Sequence, residues 1–172
     1  VKISIIGHCG SGKTTLARAI SNKLNIPRLE LDRLFFNNGG AGTKNVTEKN
    51  VVKEKIKVSV IEFMEANPSW VIDGVYLTSV QPYIIEQVDT IVFIDIPLII
   101  RMYNHLKRWW KNEHRHHEVS RFKDLLFTFD MIRRHINTQP KINKIIKDHP
   151  SKILVLKNYV SVGEYLKKLS GV

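Results

Sequence analysis

The eight residues Gly7-His8-Cys9-Gly10-Ser11-Gly12-Lys13-Thr14 satisfy G-x-x-x-x-G-K-[ST] at every fixed position. They follow the apolar run Ile3-Ser4-Ile5-Ile6 and precede Leu16, Ile20 and Leu24 at helical spacing. Strand, glycine-rich turn and helix in this order make a phosphate-binding loop and restrict the chain to an α/β fold. The glycines let successive N–H groups point inward, forming an anion nest at the positive end of the following helix. Lys13 is placed to reach the β- and γ-phosphates, and the Thr14 hydroxyl to complete the shell of a Mg²⁺ bridging the same oxygens. Gly7, Gly10, Ser11, Gly12, Lys13, Thr14 and Thr15 form the expected nucleotide-binding set, for ATP or another nucleoside triphosphate with Mg²⁺.

A chain of 172 residues is expected to fold as one domain, residues 1–172. Its single cysteine, Cys9, has no internal partner for a disulfide, and no apolar run reaches the length of a membrane span. A cytoplasmic protein without membrane association is the expectation. The formal net charge of +11 calls for an anionic partner. Between residues 101 and 123, Arg101, Lys107, Arg108, Lys111, Arg115, Arg121 and Lys123 oppose only Glu113 and Glu118, and His105, His114, His116 and His117 join them.

Along the chain, strands and helices alternate, as in a parallel sheet. Residues 28–31 read as a short second strand delivering Asp32 at its carboxyl end. Val52, Ile56, Val60 and Phe63 recur at helical spacing, although Ile56, Val58 and Val60 also alternate as a strand would. Trp70-Val71-Ile72 ends in Asp73-Gly74, and residues 90–94 end in Asp95. Ile99, Tyr103, Leu106 and Trp110 mark a helix entering the basic segment, and Phe122, Leu126, Phe129 and Ile136 one leaving it. A last strand at 153–156 precedes a helix opened by Ser161 and Glu164, spaced as a capping box.

Three strands thus end in an aspartate, where open α/β sheets collect ligands. Asp73 is the candidate to hold Mg²⁺ or its waters opposite Thr14. Asp32 is open to three roles: holding substrate, holding metal, or acting as base toward a hydroxyl acceptor. Asp95, in Asp95-Ile96-Pro97, reads first as a strand-to-helix turn.

These segments in order resemble adenylate kinase and its relatives. Leu29-Glu30-Leu31-Asp32-Arg33-Leu34-Phe35-Phe36, Trp70-Val71-Ile72-Asp73-Gly74-Val75-Tyr76 and the pair Arg133-Arg134 are similar to the adenylate-kinase-related DNA topology modulation proteins of bacteria. The resemblance implies a three-layer αβα fold with a five-stranded parallel sheet in the order 2-3-1-4-5. It also implies a substrate-binding insertion near 33–68 and a lid near 109–121. Arg108 matches an arginine at the start of the lid, and Arg133 or Arg134 the cationic helix beyond it, so that arginines close over the moving phosphoryl group. Asn104 stands one turn before Arg108, where many relatives carry a further arginine, which implies either a weaker lid clamp or one built from Arg101. Leu77 stands where adenylate kinases grip an acceptor phosphate with arginine. Lys157-Asn158-Tyr159 falls where relatives pack the adenine.

The expected catalytic residues are therefore Lys13, Asp32, Asp73, Arg108, Arg133 and Arg134, with Thr14 and Asp73 on the metal. A phosphate acceptor needs arginines and an alcohol needs a base; with Leu77 in place of arginine and Asp32 nearby, the balance favours a small hydroxyl-bearing acceptor. Arg33 as a substitute clamp keeps a nucleoside monophosphate in play. The lid histidines lack the cysteine or carboxylates that complete a zinc site, and Trp109-Trp110 reads as a lid hinge with Trp110 packed on its helix stripe. The alternative class is a nucleotide-dependent DNA-binding regulator of DNA topology, with the charge as its footprint. No base-reading motif is legible, so nucleic acid is the disfavoured partner, and a monomer or weak dimer acting on a triphosphate and a small acceptor is expected.

Overall fold

The computed structural model describes residues 1–39, 45–75, 80–110 and 121–169, and of 108, 109 and 121–127 the backbone alone. In chain order they form β1 (Lys2–Gly7), α1 (Lys13–Leu24), β2 (Arg28–Glu30), α2 (Leu31–Asn37), α3 (Val46–Ala66), β3 (Trp70–Asp73) and α4 (Gln81–Gln87). Then follow β4 (Thr90–Ile94), α5 (Leu98–Trp110), α6 (Arg121–Asp148), β5 (Ile153–Leu156) and α7 (Tyr159–Lys168). The five strands pair in parallel in the order β2-β3-β1-β4-β5.

Period-two alternation divides the strands' side chains between two cores. Ile6, Trp70, Ile72, Ile91 and Phe93 pack with Val52, Ile56, Val60 and Met64 of α3, Ile84 of α4 and Ile142 and Ile145 of α6. Ile3, Ile5, Val71, Val92 and Ile94 pack on the other face with Leu16, Ala17 and Ile20 of α1, and Val162 and Leu166 of α7 adjoin them. Both faces of the sheet are covered, which is why its strands read as continuous apolar runs. The ambiguous segment around Val52 is a helix of 21 residues, capped by Asn45, whose side chain accepts from the Glu48 N–H. Its buried stripe ends on Met64, with Phe63 at the margin; burying each such side chain is worth roughly 1.5–3 kcal/mol.

Several expectations need correction. Asp32 lies in the first turn of α2, not on the strand. The last helix starts earlier than Ser161: Asn158 caps it, accepting from the Ser161 N–H while Ser161 Oγ accepts from the Asn158 N–H, a reciprocal box one turn upstream of the expected one. The α5 stripe faces outward, with Ile99 72% and Trp110 80% exposed, so Trp110 is not packed on a core. On α6, Phe129 and Ile136 are also exposed, and Met131, Ile142 and Ile145 are buried instead. The rotation follows from a polar requirement: α6 turns Thr128 and His135 toward α5, where they bond His105 and Arg101. Among the described residues, no helix is long and apolar enough to cross a membrane.

Candidate active site

β1 delivers the chain into the glycine-rich turn at the carboxyl edge of the sheet. A side chain on Gly7, which has φ 153°, would begin 2.8 Å from the Ile94 carbonyl oxygen of the neighbouring strand, so only glycine leaves the sheet this way. Gly12, at φ 96°, caps α1, and Lys13 and Thr14 form the helix's first turn. Lys13 Nζ donates to the His8 carbonyl at 3.0 Å, bridging the loop its ammonium is expected to serve.

Parallel register then assembles the carboxylates. Ile5 of β1 lies opposite Asp73 of β3, and Asp73 opposite Glu30 of β2. Glu30 Oε1 is 3.5 Å from the Thr14 hydroxyl, and Arg28 pairs at 3.4 Å with both Glu30 and Asp73. The carboxylate pair thus sits against the first turn of α1. Gly74 follows with φ 133°; a Cβ there would come within 2.8 Å of Leu31 Cβ, so the close passage of β3 beside α2 requires glycine.

Asp73 is 1% exposed. Burial pushes its carboxyl up from 3.8 to about 6; the charge of Glu30 adds to the rise, and the Thr14 hydrogen bond, Arg28 and Lys13 oppose it. The native state therefore binds this proton more tightly than the unfolded chain does. The stability it contributes is full below about pH 3.8 and is lost as pH rises through about 6, the reverse of a salt-bridged carboxylate. Asp73→Asn is accordingly expected to stabilise the ligand-free protein above pH 6, on the order of 2 kcal/mol. Thermal unfolding from pH 4 to 8 checks this: the variant's advantage should grow with pH and vanish near 4, and an advantage independent of pH would contradict it. His8, 4% exposed, acts in the opposite sense: burial lowers it from 6.5 to about 4, so its contribution is lost as pH falls through that range.

A buried anion destabilised by a second carboxylate, with a hydroxyl beside it, is an oxygen donor set suited to a hard divalent cation. Thr14, Asp73 and Glu30 would hold Mg²⁺. Among the described residues no third carboxylate, histidine or cysteine joins such a group, so phosphate oxygens would supply the remaining ligands.

The other expected site residues are placed as follows. Asp32 is half-buried, two residues beyond Glu30. Arg133 and Arg134 lie on α6, both paired with Asp130, at 2.9 and 2.6 Å. Exposed pairs of this kind hold by about 1 kcal/mol or less. Arg108 lies on α5; its side chain, Leu77 and 111–120, with His114, His116 and His117, fall outside the described residues. His105 Nδ1 meets Thr128 Oγ1 at 2.9 Å. Arg101 is not a lid arginine: it is 1% exposed and donates to the Ile96 and Cys9 carbonyls at 2.8 and 3.2 Å. Asn104 donates to the Tyr159 hydroxyl at 2.7 Å, and the Tyr159 ring edge is 3.8 Å from where a Gly12 side chain would begin, which sets the tyrosine over the start of α1.

Glu30, Arg28 and Arg101 were not singled out for these positions from sequence. Glu30 and Arg28 alternate on one face of β2 with Asp32 next in phase, a signal usable once the register with β3 is known.

Fold and loop together define a P-loop nucleotide-binding protein. A family model described as an AAA domain matches residues 3–123, and the chain belongs to that family. A curated shikimate kinase of Bacteroides thetaiotaomicron is 36% identical in a 66-residue alignment covering 31% of this chain and 37% of that protein, so the match spans little more than a third of the relative's length. The crystal structure of shikimate kinase from the same organism has a TM-score of 0.58 at 17% identity, covering 99% of this chain and 96% of that one. Shikimate kinase from Acinetobacter baumannii, in complex with shikimate, has a TM-score of 0.60 at 13% identity, covering 98% and 89%. A kinase-like structure from Chloroflexus aurantiacus scores 0.51 at 16% identity over 74% and 77%. At these identities the structures show a common fold.

Proposed function

We propose that this chain is an ATP-dependent phosphotransferase acting with Mg²⁺ on a small hydroxyl-bearing acceptor. The observation that carries the reading is the convergence of Thr14, Asp73 and Glu30 on the first turn of α1, with Asp32 two residues beyond. Lys13 and the loop N–H groups bind the triphosphate, and Thr14, Asp73 and Glu30 would hold the cation, which when bound would neutralise charge on the phosphates. The acceptor oxygen forms a bond to the γ-phosphorus as the bond to the bridging oxygen breaks. Asp32 takes the hydroxyl proton, and ADP leaves. Arg108, Arg133 and Arg134 steady the equatorial oxygens, and residues 33–68 and 109–121 serve as acceptor-binding insertion and lid. Relatives named shikimate kinase, one solved in complex with shikimate, support a small-molecule acceptor. A cytoplasmic monomer or weak dimer belongs to the same reading.

Alanine in place of Arg133 or Arg134 separates this reading from a DNA-binding regulator of DNA topology. ATP turnover is expected to fall on the order of tenfold or more with either variant. Binding to duplex DNA, titrated against salt, tests the other class: each lost phosphate contact there lowers the salt slope by about one. Normal turnover with a flattened slope would overturn the kinase reading.

A further inference from the structure

Behind the phosphate-binding loop runs a chain of hydrogen bonds from α6 through the loop to α5. Arg101 Nη2 lies 3.1 Å from His135 Nδ1; a guanidinium only donates, so Nδ1 is the acceptor and the His135 proton is on Nε2. Gln139 Nε2 donates to Asn143 Oδ1 at 2.8 Å, which turns Gln139 Oε1 to His8 Nε2 at 2.6 Å. With Gln139 Oε1 turned to it, His8 Nε2 is the donor of that contact, and the same nitrogen lies 3.2 Å from His135 Nδ1. Both rings are neutral in this arrangement. Burial lowers both, His8 to about 4, and Arg101 lowers both further. The charged groups facing the pair are Arg101 of α5, Lys13 of α1 and Asp95 at the end of β4.

The loop's main chain is held by the same groups. Arg101 Nη1 donates to the Cys9 carbonyl. A trans peptide sets its C=O and N–H on opposite sides, so this bond turns the Gly10 N–H away from α5. At Gly10 a Cβ would come within 3.1–3.3 Å of Met131 Cε, the Arg101 carbonyl and Arg101 Cβ, so α5 and α6 back the loop directly. The preceding carbonyl, that of His8, is the one that receives Lys13, and the His8 ring is the part of the loop that α6 grips.

We propose that Arg101, His135 and Gln139 are positioning residues for triphosphate binding: by holding the His8 ring and the Cys9 carbonyl from behind, they fix the peptide planes whose N–H groups receive the phosphates. The proposal rests on the loop being a triphosphate site and on nothing about the acceptor. It makes the acceptor lone pair at His135 Nδ1, rather than ring volume, the property that matters. Asparagine can present an oxygen where Nδ1 stood; leucine cannot.

The test is calorimetric titration of ATP with Mg²⁺ at pH 7.5 into wild type, His135→Asn, His135→Leu and Gln139→Leu, with the thermal midpoint of each. His135→Leu and Gln139→Leu are expected to raise Kd by about fivefold, the worth of one lost hydrogen bond, and His135→Asn to stay within about twofold of wild type. Gln139 is half-buried and belongs to neither core, so its variant reports on the contact with little repacking. Wild-type Kd in both leucine variants would overturn the proposal. So would equal weakening by asparagine and leucine, which would assign His135 a packing role. Absence of ATP binding by the wild-type chain would instead overturn the nucleotide site itself, and this inference with it.

Discussion

Lys13→Ala is expected to abolish ATP turnover, by ~10³ or more, in a protein that remains folded. The lysine's bond to the His8 carbonyl is an intraloop contact at the surface of the site, and the residue belongs to neither core. Removing it costs the fold little, on the scale of surface substitutions. The chemistry loses a point charge on the oxygens between the β- and γ-phosphorus atoms, where negative charge accumulates as the bridging bond breaks. Steady-state ADP release paired with thermal unfolding reads both quantities on one sample. A folded Lys13→Ala variant turning over at a rate comparable to wild type would remove the phosphate-binding assignment.

The second large effect is expected at Asp73. Asn retains the shape and loses the charge, so the rate should fall on the order of 10² or more while nucleotide affinity changes less, because the cation's hold on the phosphates tightens toward the transition state. The same substitution stabilises the ligand-free fold above pH 6, and the two results together distinguish a functional carboxylate from a structural one: a structural carboxylate would lose stability with rate. An unchanged rate would remove Asp73 from the metal and move its role to Asp32 or Asp95.

The glycine-rich loop, the α/β alternation and the strands running into Asp73 and Asp95 were legible in the sequence, because each rests on local pattern: turn residues beside an apolar run, or a continuous run in a doubly covered sheet. The strand order came from resemblance, and the structure bears it out. Glu30 was not legible because a glutamate two residues from an arginine reads as a solvated pair until the pairing of β2 with β3 sets it beside Asp73. Arg101 was hidden by α5's own pattern. Opposite an apolar stripe, an arginine is expected in solvent, yet this helix buries its polar side against the loop and leaves Ile99, Tyr103 and Trp110 outside. The same inversion carried Phe129 and Ile136 of α6 to the surface. At α7 two overlapping cap signals compete, and the one that forms uses Asn158, which joins the helix directly to the end of β5.

Transfer of the γ-phosphate to a small hydroxyl is the step on which the proposed function rests. Phosphorus-31 NMR of the wild-type protein with MgATP and, in separate samples, nucleosides, nucleoside monophosphates, small alcohols and shikimate tests it most directly. A new phosphomonoester resonance is expected to grow in step with ADP for at least one hydroxyl acceptor. The same resonance is expected to be lost in Asp32→Asn. A resonance of a nucleoside diphosphate formed from a monophosphate acceptor, or ATP consumed only to inorganic phosphate with every acceptor in the panel, would contradict it.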